Sequence, residues 1–518
     1  MTRSSWLFAA VLAVLASCIA APAGFAATAD FTHGVASGDV TSTKAILWTR
    51  AVPSGTNSKV KLEVYNESQC LSGQKVFQKS NVALSAARDY TVKIDATGLS
   101  PSTSYCFRFR RGDEAASEVG HFKTAPAANA PSNVKFTYTG DADGTRVSGN
   151  PPHNNFETLA QADSENGDFW VFLGDTIYSD SSFRTSGPAT TLPEYRAAHK
   201  ENRDYANLAN LMGSTSNYAQ WDDHEVQNDF DGQTVNPARF AAGRQAFLEY
   251  YPIRETGLLQ DSSCAGDPLY RSFSWGSDTE VFVLDERSCR SADVAVTCGG
   301  DLGPTLPNSF RTSFPFNQFL TPNPPPGCTT AIADPSRTML GPVQKQRLKN
   351  DLAASTATHK IVMSGEPIQQ FFVLPYDRWE GYQAEREELL NYIEGNGISN
   401  VLFLTADTHA NLQNRVYLNR FTDPDAIAQE LVTGPVATFT FEQEVIQAAG
   451  PSAVFAVNAV MNIAGIECRN LHQNSYGLVN VDSGAGTVKI DLKTDTGAPV
   501  VNRIFTPNPS QPCTKTFP

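Results

Sequence analysis

The chain has 518 residues, several times the size of a common single domain, so more than one domain is expected. Hydrophobic residues make up 41% of the chain and charged residues 18%, with 36 glycines and 31 prolines, which excludes a collagen-like, coiled-coil or wholly disordered protein. The 40 Lys and Arg residues against 54 Asp and Glu residues give a net charge of −14, which argues against broad electrostatic binding to nucleic acid or to an anionic membrane surface.

Residues 1–27 have the pattern of a secretory signal peptide. A single basic residue, Arg3, precedes an apolar run over residues 6–16 that is too short to span a bilayer core readily. Two processing schemes fit: cleavage after Ala26, favoured by the small residues before it, or a lipid anchor on Cys18 in the lipoprotein-like sequence Leu15-Ala16-Ser17-Cys18. Either scheme predicts a secreted or periplasmic protein, and no later stretch is long and apolar enough to form a transmembrane segment.

The remaining cysteines also indicate export. After Cys18 there is an even number of them, which predicts up to four disulfide bonds in an oxidising compartment. They are Cys70, Cys106, Cys264, Cys289, Cys298, Cys328, Cys468 and Cys513. Cys70 and Cys106 are expected to pair because they are alone in the N-terminal region, whereas the pairing of the other six stays open.

Two regions with different patterns of hydrophobic residues follow the predicted signal segment. Residues 28–128 carry short alternating segments separated by turn-forming residues, which is typical of an antiparallel β-sandwich. A proline-containing linker lies around residues 125–132. Residues 132–518 alternate continuous apolar runs with helical stretches, which predicts a layered α/β domain whose strands are buried on both faces. The runs are residues 134–138, 169–173, 280–284, 360–363 and 401–405.

Acidic clusters follow three of these predicted strands, and a fourth cluster lies between them. The residues with metal-ligand chemistry are Asp141 and Asp143 after the first strand, Asp175 and Tyr178 after the second, Asp407 and His409 after the fifth, and Asp222, Asp223, His224 and Glu225 in the fourth cluster. Side chains that leave the same end of neighbouring strands converge. Carboxylates, imidazole and a phenol suit iron, calcium, manganese or zinc.

Each of these residues, taken alone, could have an ordinary structural role instead of binding a metal ion. An aspartate after a strand is usually a turn or capping residue. Tyr178 alone would belong to the core, and His409 alone would be a hydrogen-bonded structural histidine. Three clusters on strand ends of one apparent sheet are hard to attribute to capping, so a shared metal centre is predicted.

From Phe31 almost to the C-terminus, the chain resembles the alkaline phosphatase D (PhoD-like) family of secreted metallophosphoesterases. The blocks that carry the resemblance are Ile46-Leu47-Trp48-Thr49-Arg50, Leu173-Gly174-Asp175-Thr176-Ile177-Tyr178, Trp221-Asp222-Asp223-His224-Glu225-Val226, Asp377-Arg378-Trp379-Glu380-Gly381-Tyr382 and Asp407-Thr408-His409-Ala410. The resemblance implies an N-terminal β-sandwich (Fn3/Ig-like) domain followed by a calcineurin-like metallophosphatase domain with α/β/β/α layers.

The resemblance also implies roles for individual residues. Asp175 would bridge two metal ions, and Tyr178 and His409 would bind the first, which in this family is iron. Asp223 and Asp407 would bind the second, which in this family is calcium. His224, beside Asp223, would stabilise or protonate the leaving group. Asp222 and Asn228 are candidates for supporting the ligands, and Asp143 is a candidate either for a further ligand or for a support of Asp141.

The chain departs from the family pattern at two positions. Asp141 stands where the family usually has a cysteine that binds iron, so zinc or manganese is an alternative to the iron–calcium pair. Ser364-Gly365-Glu366 stands where related enzymes outside the family place a histidine, and fewer imidazoles would suit calcium.

The predicted reaction is hydrolysis of phosphomonoesters, phosphodiesters or both in small-molecule phosphate esters. Two cations can clamp a phosphoryl group and lower the pKa of a bridging water, which then attacks in line. Arg184, Arg196 and Arg287 are candidates for binding phosphate oxygens. The alternative for each is an ion pair at the surface or at a domain interface. The loop at 299–342 would govern the choice between monoester and diester. The alternative function is a non-catalytic extracellular binding or adhesion protein built on a decayed phosphatase fold.

Overall fold

A computed structural model describes residues 31–53, 58–67, 70, 74–112, 115–298, 326–371, 377–503 and 510–518. The predicted signal segment, the alternative lipidation site at Cys18 and most of the predicted loop at 299–342 lie outside the described residues. None of the helices among the described residues is long and apolar enough to cross a membrane.

The N-terminal region is a β-sandwich, as predicted. Its strands are β1 (Val35–Gly38), β2 (Lys44–Arg50), β3 (Lys59–Tyr65), β4 (Lys75–Ala83), β5 (Thr91–Thr97), β6 (Ser104–Arg111), β7 (Ala115–Ala116) and β8 (Gly120–Lys123). One sheet has the order β4-β3-β6-β7, with β8 also on β6, and it faces β1-β2-β5. Alternating side chains such as Leu47, Leu62 and Phe107 fill the space between the two sheets. The predicted disulfide Cys70–Cys106 is present.

One sheet runs through both regions, which the sequence did not predict. Strand β1 pairs in parallel with β11 (Asn217–Gln220), so β1-β2-β5 extends the first sheet of the C-terminal region. Buried Trp48 on β2 strengthens this junction: its indole donates to the carbonyl of Glu249 at 2.7 Å, and the Arg203 guanidinium lies over its ring at 4.3 Å. The two regions therefore share a continuous backbone framework.

The C-terminal region contains two packed sheets. The first consists of β9 (Val134–Ala142), β10 (Phe169–Leu173), β11, β18 (Pro435–Ala437), β20 (Ser475–Asp482), β21 (Thr487–Thr494) and β22 (Thr514–Phe517). The second consists of β12 (Arg271–Trp275), β13 (Thr279–Val283), β14 (His359–Met363), β15 (Val401–Thr405), β16 (Asn411–Val416), β17 (Ala428–Val432) and β19 (Cys468–Asn470). Strands β9, β10 and β11 are mutually parallel, as are β13, β14, β15 and β17.

Helices cover the outer faces of these sheets. They are α1 (Glu157–Ser164), α2 (Leu192–Arg203), α3 (Ala206–Ser214), α4 (Pro237–Tyr250), α5 (Ala295–Cys298), α6 (Cys328–Ile332), α7 (Gly341–Ala354), α8 (Gln383–Gly395), α9 (Phe441–Ala449) and α10 (Pro451–Ile463). Short 3-10 helices lie at Ala86–Arg88 and Trp379–Tyr382. Leu173 and Met363 belong to the core between the sheets, whereas Leu211 and Leu389 belong to cores under the helices. The predicted α/β/β/α layering is confirmed.

Three further disulfides join Cys264 to Cys289, Cys298 to Cys328 and Cys468 to Cys513. All eight cysteines that follow the predicted signal segment are therefore paired, as the even number predicted. Four disulfides are typical of a chain that folds outside the reducing cytosol.

Gly140 allows two strand ends to approach closely. A Cβ atom at Gly140, near the end of β9, would lie 2.7 Å from Cβ of Ala406, which follows β15. We predict that Gly140→Ala lowers the free energy of unfolding by about 1–3 kcal/mol, because one end must move away from the other. Gly395→Ala is the matched control, since a Cβ there meets open space. Urea unfolding of both variants tests this, and equal stabilities would contradict it.

Candidate metal centre

The predicted site residues emerge from adjoining strand ends in strained backbone. Asp141 at the end of β9, Asp175 after β10, and Asp407 and His409 after β15 have φ values of 64°, 49°, 58° and 53°. Residues other than glycine rarely adopt this left-handed backbone conformation, and such backbone strain is concentrated at functional sites. The sharp turns bring the four side chains to one end of the paired sheets.

The first group of ligand-type atoms is formed by Asp141, Asp175 and His409. One ligand atom from each lies within 4.8 Å of the others. Tyr178 adjoins this group, because its Oη lies 2.9 Å from Nε2 of His409. The structure therefore brings together the four residues predicted to bind the first metal ion.

A second group shares Asp175 with the first. Ligand atoms of Asp175, Asp223 and His224 also lie within 4.8 Å of one another. Nε2 of His224 is 3.9 Å from Oδ2 of Asp175 and 4.0 Å from Oδ1 of Asp223. Asp175 thus stands between two potential cation positions, where a bridging carboxylate would lie.

Asp407 belongs to a neighbouring group with Asp222 and Glu366. Its backbone N–H donates to Oδ1 of Asp141 at 3.3 Å, which connects the turns after β15 and β9. Asp222 accepts a hydrogen bond from Nε of Arg287 at 2.6 Å and is therefore already neutralised on one side. Asp222 lies beside Asp407, and its supporting role stays a prediction.

Burial of so many acids disfavours their charged forms. Burial raises the pKa of Asp141 to about 7 and that of Asp407 to about 8, and it raises the pKa of Asp175 well above its ordinary value. Among the described residues, Oδ2 of Asp141 and Oδ1 of Asp223 are buried and have no hydrogen-bond partner. Bound cations would satisfy these oxygens and stabilise the ionised carboxylates, so the cluster fits a metal centre.

Asp180 orients His224, and the sequence analysis missed this residue. Oδ1 of Asp180 lies 2.5 Å from Nδ1 of His224, while its Oδ2 accepts from the backbone N–H of Asn228 at 2.6 Å. The imidazole also stacks on the Tyr178 ring, with 4.0 Å between ring centroids. Burial opposes protonation of His224, but Asp223, Asp175 and Asp180 together raise its pKa well above the ordinary value. The only sequence signal was an acid two residues after Tyr178.

Two further acidic side chains, Glu444 and Asp143, make supporting contacts around the groups. Oε1 of Glu444, on α9, lies 2.7 Å from Nδ1 of His409, so the opposite ring nitrogen faces Tyr178. Asp143 accepts from the Ser181 hydroxyl at 2.6 Å and from the Thr145 backbone N–H at 2.9 Å. Asp143 therefore stabilises the loops around Asp141, and it is not a member of the ligand groups found among the described residues.

A cavity of about 260 Å³ opens onto both groups. Its lining is dominated by acidic and imidazole side chains. The lining residues are Asp175, Asp223, His224, Asn228, Asp229, Asp293, Ala295, Asp377, Arg378, Asp407, His409 and Glu444. An anion could enter such a cavity only if cations offset the negative charge of its walls.

The phosphate-binding prediction for Arg196 and Arg287 requires correction. Arg196 on α2 donates to both carboxylate oxygens of Glu249 at 2.7 Å, because α2 packs on α4. Arg287 is fully buried and donates to Asp222 and Glu366, each at 2.6 Å. Neither guanidinium is among the described groups that line the cavity, so the ion-pair alternative holds for both.

Arg184 and Arg378 differ in their position relative to the cavity. Nη1 of Arg184 lies 3.6 Å from Oε2 of Glu201, and Arg184 is likewise not among the described lining residues. Arg378 does line the cavity, and its Nε lies 3.9 Å from Oδ2 of Asp407. Arg378 lies in a sequence block shared with the family, but the sequence pattern alone indicated no role for it.

Known proteins share sequence and fold with this chain. The sequence model of the PhoD-like phosphatase family matches residues 146–492, and that of the family's N-terminal domain matches residues 17–126. Alkaline phosphatase D of Bacillus subtilis (strain 168) is 30% identical over 429 residues, which span 75% of this chain and 66% of that protein, just under two thirds of its length.

Two solved structures share the fold. One described as PhoD superposes with a TM-score of 0.72 at 24% identity, covering 94% of this chain and 90% of the other. Purple acid phosphatase PPD1 from yellow lupin (Lupinus luteus) seeds gives a TM-score of 0.55 at 12% identity, covering 93% and 73%. With the fold, the convergent ligand groups and the family match in agreement, the chain belongs to the PhoD-like phosphatase family.

Proposed function

We propose that this protein is an exported, metal-dependent phosphoesterase that releases phosphate from small-molecule esters. The observation that carries the proposal is Asp175, which is shared by two groups of ligand-type side chains at the wall of one cavity. The family membership and the four disulfides support a phosphatase that works outside the cytosol.

The donor atoms suggest which residues hold each cation. Asp141, Asp175, Tyr178 and His409 would hold Fe³⁺, which favours phenolate and carboxylate oxygen, while Asp175, Asp223 and Asp407 would hold Ca²⁺, which favours oxygen ligands. With Asp141 in place of the family cysteine, Zn²⁺ or Mn²⁺ is the alternative. Such a cation pair supplies charge neutralisation for a phosphoryl group and activation of water.

The protein's own side chains would orient the ester and supply a proton. His224, held by Asp180 and stacked on Tyr178, can stabilise or protonate the departing alkoxide. Arg378, which lines the cavity, can donate two parallel hydrogen bonds to phosphate oxygens. Arg287 would act indirectly, because its ion pairs fix Asp222 and Asp377.

Replacing the shared carboxylate tests the central assignment. We predict that Asp175→Asn lowers the rate of p-nitrophenyl phosphate hydrolysis at least 1000-fold and abolishes metal binding. The far-ultraviolet circular dichroism spectrum should stay unchanged. The order of magnitude follows from the electrostatic stabilisation lost with the cations, about 4 kcal/mol. Asp204→Asn is the control, because the Asp204 side chain is 61% exposed. Full turnover by Asp175→Asn would refute the proposal, and wild-type protein without metal or turnover would favour the adhesion alternative.

The leaving-group role of His224 predicts a selective effect of Asp180→Asn. Loss of the Asp180 carboxylate should lower kcat by roughly 10- to 100-fold for an alkyl phosphate, whose alkoxide needs a proton. The loss should be much smaller for p-nitrophenyl phosphate, whose phenolate leaves unprotonated, and metal content should not change. His224→Asn should show the same selectivity. Equal losses on both substrates would mean that Asp180 has a structural role only.

The position of Arg378 predicts a defect in substrate binding. Arg378→Met should raise KM for p-nitrophenyl phosphate and the inhibition constant of free phosphate by roughly 10-fold or more, since a bidentate, charge-assisted contact is lost. Arg196→Met is the comparison. It should leave KM unchanged but lower the melting temperature, because it leaves buried Glu249 without its partner. An unchanged phosphate affinity in Arg378→Met would contradict the assignment.

A further inference from the structure

The N-terminal sandwich differs from the rest of the chain in charge. Residues 31–124 contain 12 Lys and Arg residues against 8 Asp and Glu residues, which gives a net charge of +4. The whole chain carries −14, so the remaining residues carry −18. A basic domain on an otherwise acidic chain is typical of a protein that meets an anionic partner through that domain.

The positive charge is concentrated in one sheet of the sandwich, β4-β3-β6. These three strands contain seven Lys and Arg residues and a single acidic residue, Glu63. The basic residues are Lys59, Lys61, Lys75, Lys79, Arg108, Arg110 and Arg111. Lysines on an edge strand such as β4 protect it from pairing with other chains. Strands β3 and β6 are interior strands of this sheet, so edge protection does not account for their charge.

The alternation of side chains along β3 and β6 turns this charge toward the outer face. Leu62 on β3 and Phe107 on β6 belong to the core between the two sheets. Lys61 and Arg108, their neighbours in sequence, therefore point to the opposite, outer face. Lys61 also stands directly opposite Arg110 in the register of the two strands. Like charges in such cross-strand positions destabilise a sheet, and an anionic partner would relieve the repulsion.

The single acid of these strands cannot neutralise the cations around it. Oε1 of Glu63 lies 2.9 Å from Nζ of Lys61 and 2.8 Å from Nζ of Lys75. Its Oε2 lies 3.4 Å from Nε of Arg108. Three cations thus surround one carboxylate, which leaves two positive charges in excess. Lys75 and Arg108 also lie over the Tyr65 ring, at 5.7 and 5.5 Å from its centroid, so both cations are held in place.

We propose that this basic face, defined as Lys61, Lys75, Arg108 and Arg110, binds a flexible linear phosphate polymer. The side chains of Lys61, Lys75 and Arg108 are 29%, 36% and 18% exposed, so their charges are recessed but accessible. A polymer strand can settle between such side chains, whereas the flat surface of an anionic membrane would reach only the outermost ones. Because two cations cover the Tyr65 ring, the face offers no aromatic platform for bases, and binding would rest on phosphate oxygens.

Binding at the basic face goes beyond the proposed function and does not depend on it. The lining of the cavity is dominated by acidic side chains, which do not attract anions over a distance. A separate basic face would therefore retain the protein at phosphate-rich material that the acidic remainder of the chain repels.

Binding of long-chain inorganic polyphosphate to the full chain, measured across a range of salt concentrations, tests the proposal. We expect Lys61→Gln/Lys75→Gln to weaken binding at least 10-fold. The slope of log affinity against log salt should fall in magnitude by about two, because two contacts between cations and phosphates are lost. The same loss should occur when both substitutions are made in Asp175→Asn protein, which excludes the metal centre as the place of binding.

Lys489→Gln/Lys515→Gln is the matched control. It also removes two lysines that pair with carboxylates, at 2.8 and 2.6 Å, but these lie on β21 and β22 of the C-terminal region. The control should bind polyphosphate like the wild type, and so should Lys61→Arg/Lys75→Arg, which keeps the charge. Thermal unfolding should stay cooperative in every variant, so that a loss of binding cannot be attributed to misfolding.

Three outcomes would overturn the proposal. They are no binding of polyphosphate by the wild type, an equal loss of binding in the matched control, and binding to phosphatidylserine vesicles that requires Lys61 and Lys75 while polyphosphate does not bind. Polyphosphate binding that requires the basic face, in a protein that hydrolyses no phosphate ester, would refute the proposed function and leave this inference standing.

Discussion

The structure depends on keeping several carboxylates together in a place from which water is largely excluded. Burial disfavours the charged form of each acid, and like charges repel at low dielectric; the raised pKa values of Asp141, Asp175 and Asp407 express both costs. A fold retains such a cluster only where cations or buried guanidinium groups offset the charge. Parallel strands supply the geometry, since β9, β10 and β15 end in sharp turns that bring Asp141, Asp175, Asp407 and His409 to one end of the paired sheets.

Hydrogen bonds and ion pairs from the surrounding side chains hold these acids in position. Arg287 connects Asp222, Glu366 and Asp377, which come from three separate loops. Glu225 accepts hydrogen bonds from Thr176 and from the backbone of Asp222, which joins the turns after β10 and β11. Such supporting bonds restrict the rotamers of the ligands, and precise ligand positions are what metal-assisted chemistry requires.

Much of this organisation could be predicted from the sequence, because continuous apolar runs define buried parallel strands. The runs at 169–173 and 401–405 coincide with β10 and β15, and the acids that follow them do converge. Partners set by tertiary packing could not be predicted. Arg196 and Arg287 have suitable chemistry, but their helices and loops direct them to Glu249 and Asp222. Asp180, Glu444 and Arg378 contact site residues that are distant in sequence, so their roles were not visible in the sequence. The pairing of β1 with β11 involves a single residue pair, Gly38 with Asn217, and leaves no sequence pattern either.

Anomalous X-ray diffraction from crystals of the metal-loaded protein would locate the cations. We predict two cation peaks at the cavity, with Asp175 in contact with both at about 2.0–2.6 Å. Tyr178 and His409 should contact one ion only. The wavelength dependence of each peak would identify the element, and so decide between iron with calcium and the zinc or manganese alternative. Absence of both peaks, or two peaks that do not share Asp175, would contradict a metal centre bridged by Asp175.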